Sequence, residues 1–189
     1  MICIEPGAYL FLALLLLTIP LNWLLAAVLA GVLHELAHIM MILLFGGKIH
    51  AMEIGIAGAR LDSALDSVWK SFFSILAGPV CSLLLFFTYR IFPRLALCAL
   101  IQGIWNLLPV YPLDGGRMLG ILLDVCFPRC ARNIQMGIEI LFLLGLITLS
   151  LLLWWFRDVG ILPLVLSCTW AIKVFLRKKP CKQGPNKIQ

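Results

Sequence analysis

From Ala8 to Phe45 the chain is a nearly continuous run of Leu, Ala, Val, Ile and Met, interrupted at Pro20 and Asn22. Wound as one helix, that run would be about 57 Å long at about 1.5 Å per residue, far beyond a hydrocarbon core of roughly 30 Å. The break at Pro20 therefore predicts a helical hairpin, with a short span near residues 7–19 and a second near 21–45. Gly46-Gly47 follows, where a glycine C-cap is expected. Between Lys48 and Asp66 glycines and β-branched residues replace helical periodicity, which predicts a short β-hairpin or an extended loop. A strand edge within residues 48–60 would be open to pairing with an extended peptide. Apolar segments resume near 68–92, 95–112, 134–156 and 160–174. The second of these is broken by Pro109 and Pro112 and closes between two polar residues, Asn106 and Asp114. Such a pattern predicts a broken or re-entrant helix, tolerated in a membrane only where protein or water shields its backbone. The expected fold is an all-α polytopic membrane protein of about six transmembrane helices.

Composition strengthens that reading. The 189 residues are 62% hydrophobic and 13% charged, against about 45–50% and about 25% in a soluble domain. One transmembrane domain over residues 1–176 and a basic tail over 177–189 account for the whole length. If both termini are cytoplasmic, that side holds Lys48, Arg60, Lys70, Arg117, Arg129, Arg132 and six C-terminal cations from Lys173 to Lys187. The opposite side holds only Arg90, Arg94 and Arg157. The positive-inside rule thus predicts a multi-pass cell-membrane protein with cytoplasmic termini, its tail against the anionic leaflet of the lipid bilayer. No base-reading motif is present, so nucleic acid is not an expected partner. Seven cysteines, odd in number and mostly in or beside apolar segments, read as reduced thiols; Cys126 and Cys130 alone are weak grounds for a soft-metal site. The N-terminus lacks the basic region of a secretory signal and is expected to be retained.

Ionisable groups inside the second apolar segment change the picture from architecture to chemistry. Gly31-Val32-Leu33-His34-Glu35-Leu36-Ala37-His38 places an acid and two histidines where lipid-facing helices are apolar. Charges at that depth cost roughly 2.5–3.5 kcal/mol each for Asp, Lys or Arg on insertion scales, so their presence calls for a function. His34 and His38, at i and i+4, project from one helix face and can share one metal ion. Glu35 lies about 100° around the helix from His34, placed to handle the proton of a water without being a ligand. A hydrolytic zinc site usually has three protein ligands and one open position. Asp114 is the best third ligand: it follows the prolines and is flanked by Gly115 and Gly116, which permit unusual backbone angles. His50, Glu53 and Asp62 read as solvent-facing loop residues, Glu139 as an interfacial acid, and the tryptophans, including Trp154, Trp155 and Trp170, as interfacial anchors.

Taken together, His34-Glu35-Leu36-Ala37-His38, Ala77-Gly78-Pro79 and the segment Asn106-Leu107-Leu108-Pro109-Val110-Tyr111-Pro112-Leu113-Asp114-Gly115-Gly116-Arg117 resemble the site-2 proteases, the intramembrane zinc metalloproteases. The resemblance covers roughly residues 20–125, and the compact six-span form is most similar to the sporulation branch that processes a membrane-tethered pro-sigma factor. It implies one zinc ion per chain held by His34, His38 and Asp114, with Glu35 as general base and Asn106 near the substrate or oxyanion. The implied partners are a membrane-tethered protein substrate and a membrane regulatory protein. Where the family often carries Asn a few residues after Gly-Pro, this chain has Val80-Cys81-Ser82, and no role is carried over. Two other classes compete: a divalent-metal transporter, which would spread polar groups along a route, and a catalytically silent membrane scaffold, which would have little need of intact His34, Glu35, His38 and Asp114.

Overall fold

A computed structural model of the chain describes residues 2–4, 19–55 and 58–157. Two compact units divide it, Met1–Gln135 and Met136–Gln189. The first contains every candidate site residue. In chain order its elements are strand β1 (Ile2–Ile4), helix α1 (Leu21–Leu44), strands β2 (Lys48–Gly55) and β3 (Gly58–Ala64), helix α2 (Val68–Leu85) with a 3-10 turn Phe86–Arg90, and helices α3 (Pro93–Asn106) and α4 (Asp114–Cys126). Helix α5 (Ala131–Arg157) begins in the first unit and makes up the described part of the second.

Helix α1 buries Leu24, Ala30, His34, His38 and Ile42. From Ala30 onward these recur every fourth residue, one stripe along the helix. Leu25, Val28, Leu29, Val32, Leu36 and Met40 point away from the protein, as lipid-facing positions should. The stripe meets small residues of α2, Ser74, Gly78 and Ser82, at the same fourfold spacing, and α3 buries small residues of its own, Ala96, Ala99 and Gly103, the last against Ser82. Membrane helices gain little from the hydrophobic effect among lipid tails, so small residues that allow close backbone approach set where they pack. Helix α1 ends at Gly46, whose φ of +74° is the left-handed conformation glycine favours. The amide of Gly46 donates to the Leu43 carbonyl and that of Gly47 to the Ile42 carbonyl, the paired bonds of a Schellman cap. Lys70 Nζ donates to the Phe45 carbonyl at 3.4 Å, a cation at the negative end of α1.

Three described helices are long and apolar enough to cross a membrane, over Leu21–Leu44, Val68–Arg90 and Ala131–Leu152. The chain is a membrane protein. The spans expected near 7–19 and 160–174 lie outside the described residues. The segment over 95–112 is broken, as its prolines led one to expect: α3 stops at Asn106 and α4 starts at Asp114, after a turn with a cis Tyr111–Pro112 bond. At 14 and 13 residues these helices reach about 20 Å each, short of a roughly 30 Å core. The prolines explain the break, since each lacks an amide for the helical ladder.

The segment after α1 forms strands rather than helix. β2 pairs antiparallel with β3, with a register irregularity between Ile49 and Ala51, and β1 pairs parallel with β2. The fold is therefore not purely helical among the described residues, and residues 56–57 between β2 and β3 lie outside them. The sheet order β1-β2-β3 leaves β2 flanked on both sides. An open edge within residues 48–60 accordingly moves to β3, Gly58–Ala64, whose other side is unpaired among the described residues.

Candidate metal centre

Three residues from two elements, α1 and α4, converge at the α1 stripe. His34 Nε2 is 3.1 Å from Asp114 Oδ2, His38 Nε2 is 3.2 Å from the same oxygen, and the two nitrogens are 3.2 Å apart. All three side chains are buried. A tetrahedral ion with bonds of about 2.0 Å has ligand–ligand edges of about 3.3 Å. The observed triangle is one face of such a tetrahedron to within about 0.2 Å.

Hydrogen bonding at the far side of each ring shows which nitrogens are available. His38 Nδ1 lies 2.8 Å from the Ser74 carbonyl oxygen, which only accepts, so Nδ1 carries the proton. A neutral His38 ring then presents a lone pair at Nε2. His34 Nδ1 lies 2.8 Å from Ser82 Oγ. With both rings neutral and both Nδ1 atoms protonated, two lone pairs and a carboxylate oxygen face one another across 3.1–3.2 Å. Three acceptors repel unless a cation lies among them. The donor set of two imidazoles and one carboxylate suits zinc, and each imidazole tied through its outer nitrogen is the usual support of a metal-bound histidine. Arg117 Nη1, 3.7 Å from Asp114 Oδ1, steadies the other carboxylate oxygen from the same helix.

The site depends on missing side chains as much as on present ones. A Cβ at Gly78 would overlap the His38 ring and come within 2.8 Å of His34 Nε2. Only glycine lets α2 lie this close. Gly115 and Gly116 answer a different need from the one read in the sequence. Both sit within α4, and neither has positive φ. A Cβ on either would run into the backbone of residues 107–111, which folds back over the first turn of α4. The glycines admit that backbone and thereby bring Asp114 to the histidines.

Glu35 is half-buried on the turn of α1 that carries His34. Asn106, the last residue of α3, places Nδ2 3.4 Å from His34 Nε2. His50, Glu53 and Asp62 fall on β2 and β3, and Glu139 is buried on α5. Ser74 and Ser82 escaped the sequence reading. Their signal was the spacing Ser74, Gly78, Ser82, a small-residue stripe around the Gly-Pro pair.

No family model matches the chain. Stage IV sporulation protein FB of Bacillus subtilis is 28% identical over 92% of this chain and 62% of its own length. A protein of Synechocystis named as a zinc metalloprotease is 31% identical over 47% of this chain and 27% of its own. A zinc metalloprotease of Methanocaldococcus jannaschii is 29% identical over 65% and 42%. The chain thus spans between about a quarter and three fifths of the curated relatives it matches. Among solved structures, a site-2 protease from Methanocaldococcus jannaschii superposes with a TM-score of 0.65 over 95% of this chain and 91% of that one, at 20% identity, a likeness of fold. In sequence the chain is similar to these metalloproteases and to the sporulation protein, and in fold it is similar to a site-2 protease.

Proposed function

We propose that the protein is an intramembrane zinc metalloprotease that hydrolyses a peptide bond in or near the membrane-embedded segment of a tethered protein, in regulated intramembrane proteolysis of a membrane-bound transcription regulator. The observation that carries this reading is the buried triangle of His34 and His38, on an apolar helix, with Asp114 of α4. In this reading those three residues hold one zinc ion. When bound, zinc supplies Lewis acidity and brings the pKa of water to about 7. Glu35, adjacent to His34 but outside the ligand set, takes a proton from the attacking water and returns it to the leaving amine nitrogen. The Asn106 amide donates to the carbonyl oxygen of the scissile bond as charge develops there. Ser74 and Ser82 keep the imidazoles oriented, and Gly78 keeps α2 close.

A substrate helix has its carbonyls hydrogen-bonded along its own axis, so it must unwind before cleavage. The β3 edge supplies backbone donors and acceptors to an extended segment, an addition of one strand to the sheet. Cytoplasmic termini and a partner that regulates access belong to the same proposal. The test is a purified, membrane-reconstituted chain with single-span tethered substrates, compared with Glu35→Gln. Retained zinc with cleavage lost is expected of the variant. Cleavage at the wild-type rate in Glu35→Gln would remove the general-base role, and zinc flux without proteolysis would favour a transporter.

A further inference from the structure

We propose that Ser82 is the positioning residue that makes His34 a metal ligand, by holding its ring in the tautomer that frees the Nε2 lone pair. The inference rests on the zinc reading above and adds a residue to it. His34 and His38 are supported differently. The His38 Nδ1–H donates to a backbone carbonyl, that of Ser74, at 2.8 Å, so its tautomer is set by the main chain. The His34 Nδ1 meets a side chain, Ser82 Oγ, at 2.8 Å across 48 residues of sequence. A hydroxyl both donates and accepts. When Ser82 accepts from Nδ1–H, His34 Nε2 is a lone pair aimed at the triangle; when it donates, Nε2 carries the proton and cannot ligate. Ser82 is thus a side-chain control at Nδ1 that His38 lacks, and it acts in the same sense as the Asn106 amide, whose Nδ2 lies 3.4 Å from His34 Nε2.

Among the described residues, Ser82 is the hydrogen-bond partner shown at His34 Nδ1. Ser82 is 0% exposed and His34 1%. Helix α3 seals the position: a Cβ at Gly103 would come within 3.0 Å of the Ser82 Cβ. In so dry a place a water has little room to take over the bond, and an unmet ring N–H is disfavoured. Supporting residues of this kind typically change metal affinity by about 10–100-fold when removed.

The experiment uses the full chain in detergent or nanodiscs, loaded with zinc or with cobalt. Ser82→Ala is expected to weaken zinc binding by about 10–100-fold in chelator competition and to shift the visible bands of bound cobalt. Cys81→Ala, the neighbouring position on α2, is expected to bind zinc as the wild type does. Nitrogen-15 histidine spectra of the zinc-loaded wild type are expected to show His34 protonated at Nδ1, a readout that does not depend on the variant folding. Unchanged zinc affinity and cobalt bands in Ser82→Ala would overturn the assignment. So would an equal loss in Cys81→Ala, or an unprotonated His34 Nδ1. A wild-type chain that binds no zinc would instead sink the underlying metal reading.

Discussion

Gly78 lies against the His34 and His38 nitrogens so closely that even a methyl group at its Cα would displace a ring. Gly78→Ala is therefore expected to insert in the membrane yet lose most of its zinc, measured as metal per mole of purified chain. Wild-type zinc content in that variant would refute the packing described. Asn106 makes a second residue-scale prediction. As an oxyanion donor, its replacement by Ala should lower kcat by about 10²–10³ with little change in KM. A rise in KM alone would make it a substrate-binding residue instead. The grouping of His34, His38 and Asp114 was readable from the sequence, the histidines because polar groups at i and i+4 stand out in an apolar helix and Asp114 because it follows the prolines that break one. Ser74 and Ser82 were not. Their contacts reach across 36 and 48 residues, and small residues in an apolar helix look like ordinary packing.

Helix α4 is the element whose existence the sequence concealed. Asp114-Gly115-Gly116 reads as a turn, since glycine is a poor helix former. In the structure the helix begins at Asp114, and its glycines accept the backbone of the preceding turn. Gly116→Ala should thus push α4 away from residues 107–111, carry Asp114 off the histidines and lower zinc occupancy at least tenfold. Gly137→Ala on α5, where a Cβ would meet nothing within 4 Å, should leave occupancy unchanged; equal effects of the two would contradict the role of close approach. The ends of α1 were legible in contrast, because Pro20 and Gly46 mark helix limits by fixed backbone chemistry. Strand β1 was not, as three residues pairing with a segment some fifty positions away leave no local periodicity.

At the scale of the whole molecule, the apolar spans and the distribution of cations predict an orientation that labelling tests. Cys126 and Cys130, both exposed and unbridged, flank the connection from α4 to α5. If that connection is cytoplasmic, a membrane-impermeant maleimide should label them in inverted vesicles and leave them unlabelled in intact cells. The opposite pattern would invert the topology. Span boundaries followed from hydropathy at α1, α2 and α5, where each helix is long enough to cross. Hydropathy alone joins α3 to the turn beyond it; it is Pro109 and Pro112 that mark the break in the sequence.

X-ray absorption of the zinc-loaded, purified chain bears most directly on the central claim. The account predicts a shell of nitrogen and oxygen neighbours at about 2.0–2.1 Å, with outer scattering from two imidazoles that falls by half in His38→Ala. A sulfur shell at about 2.3 Å, or a spectrum unaffected by removing His38, would contradict it.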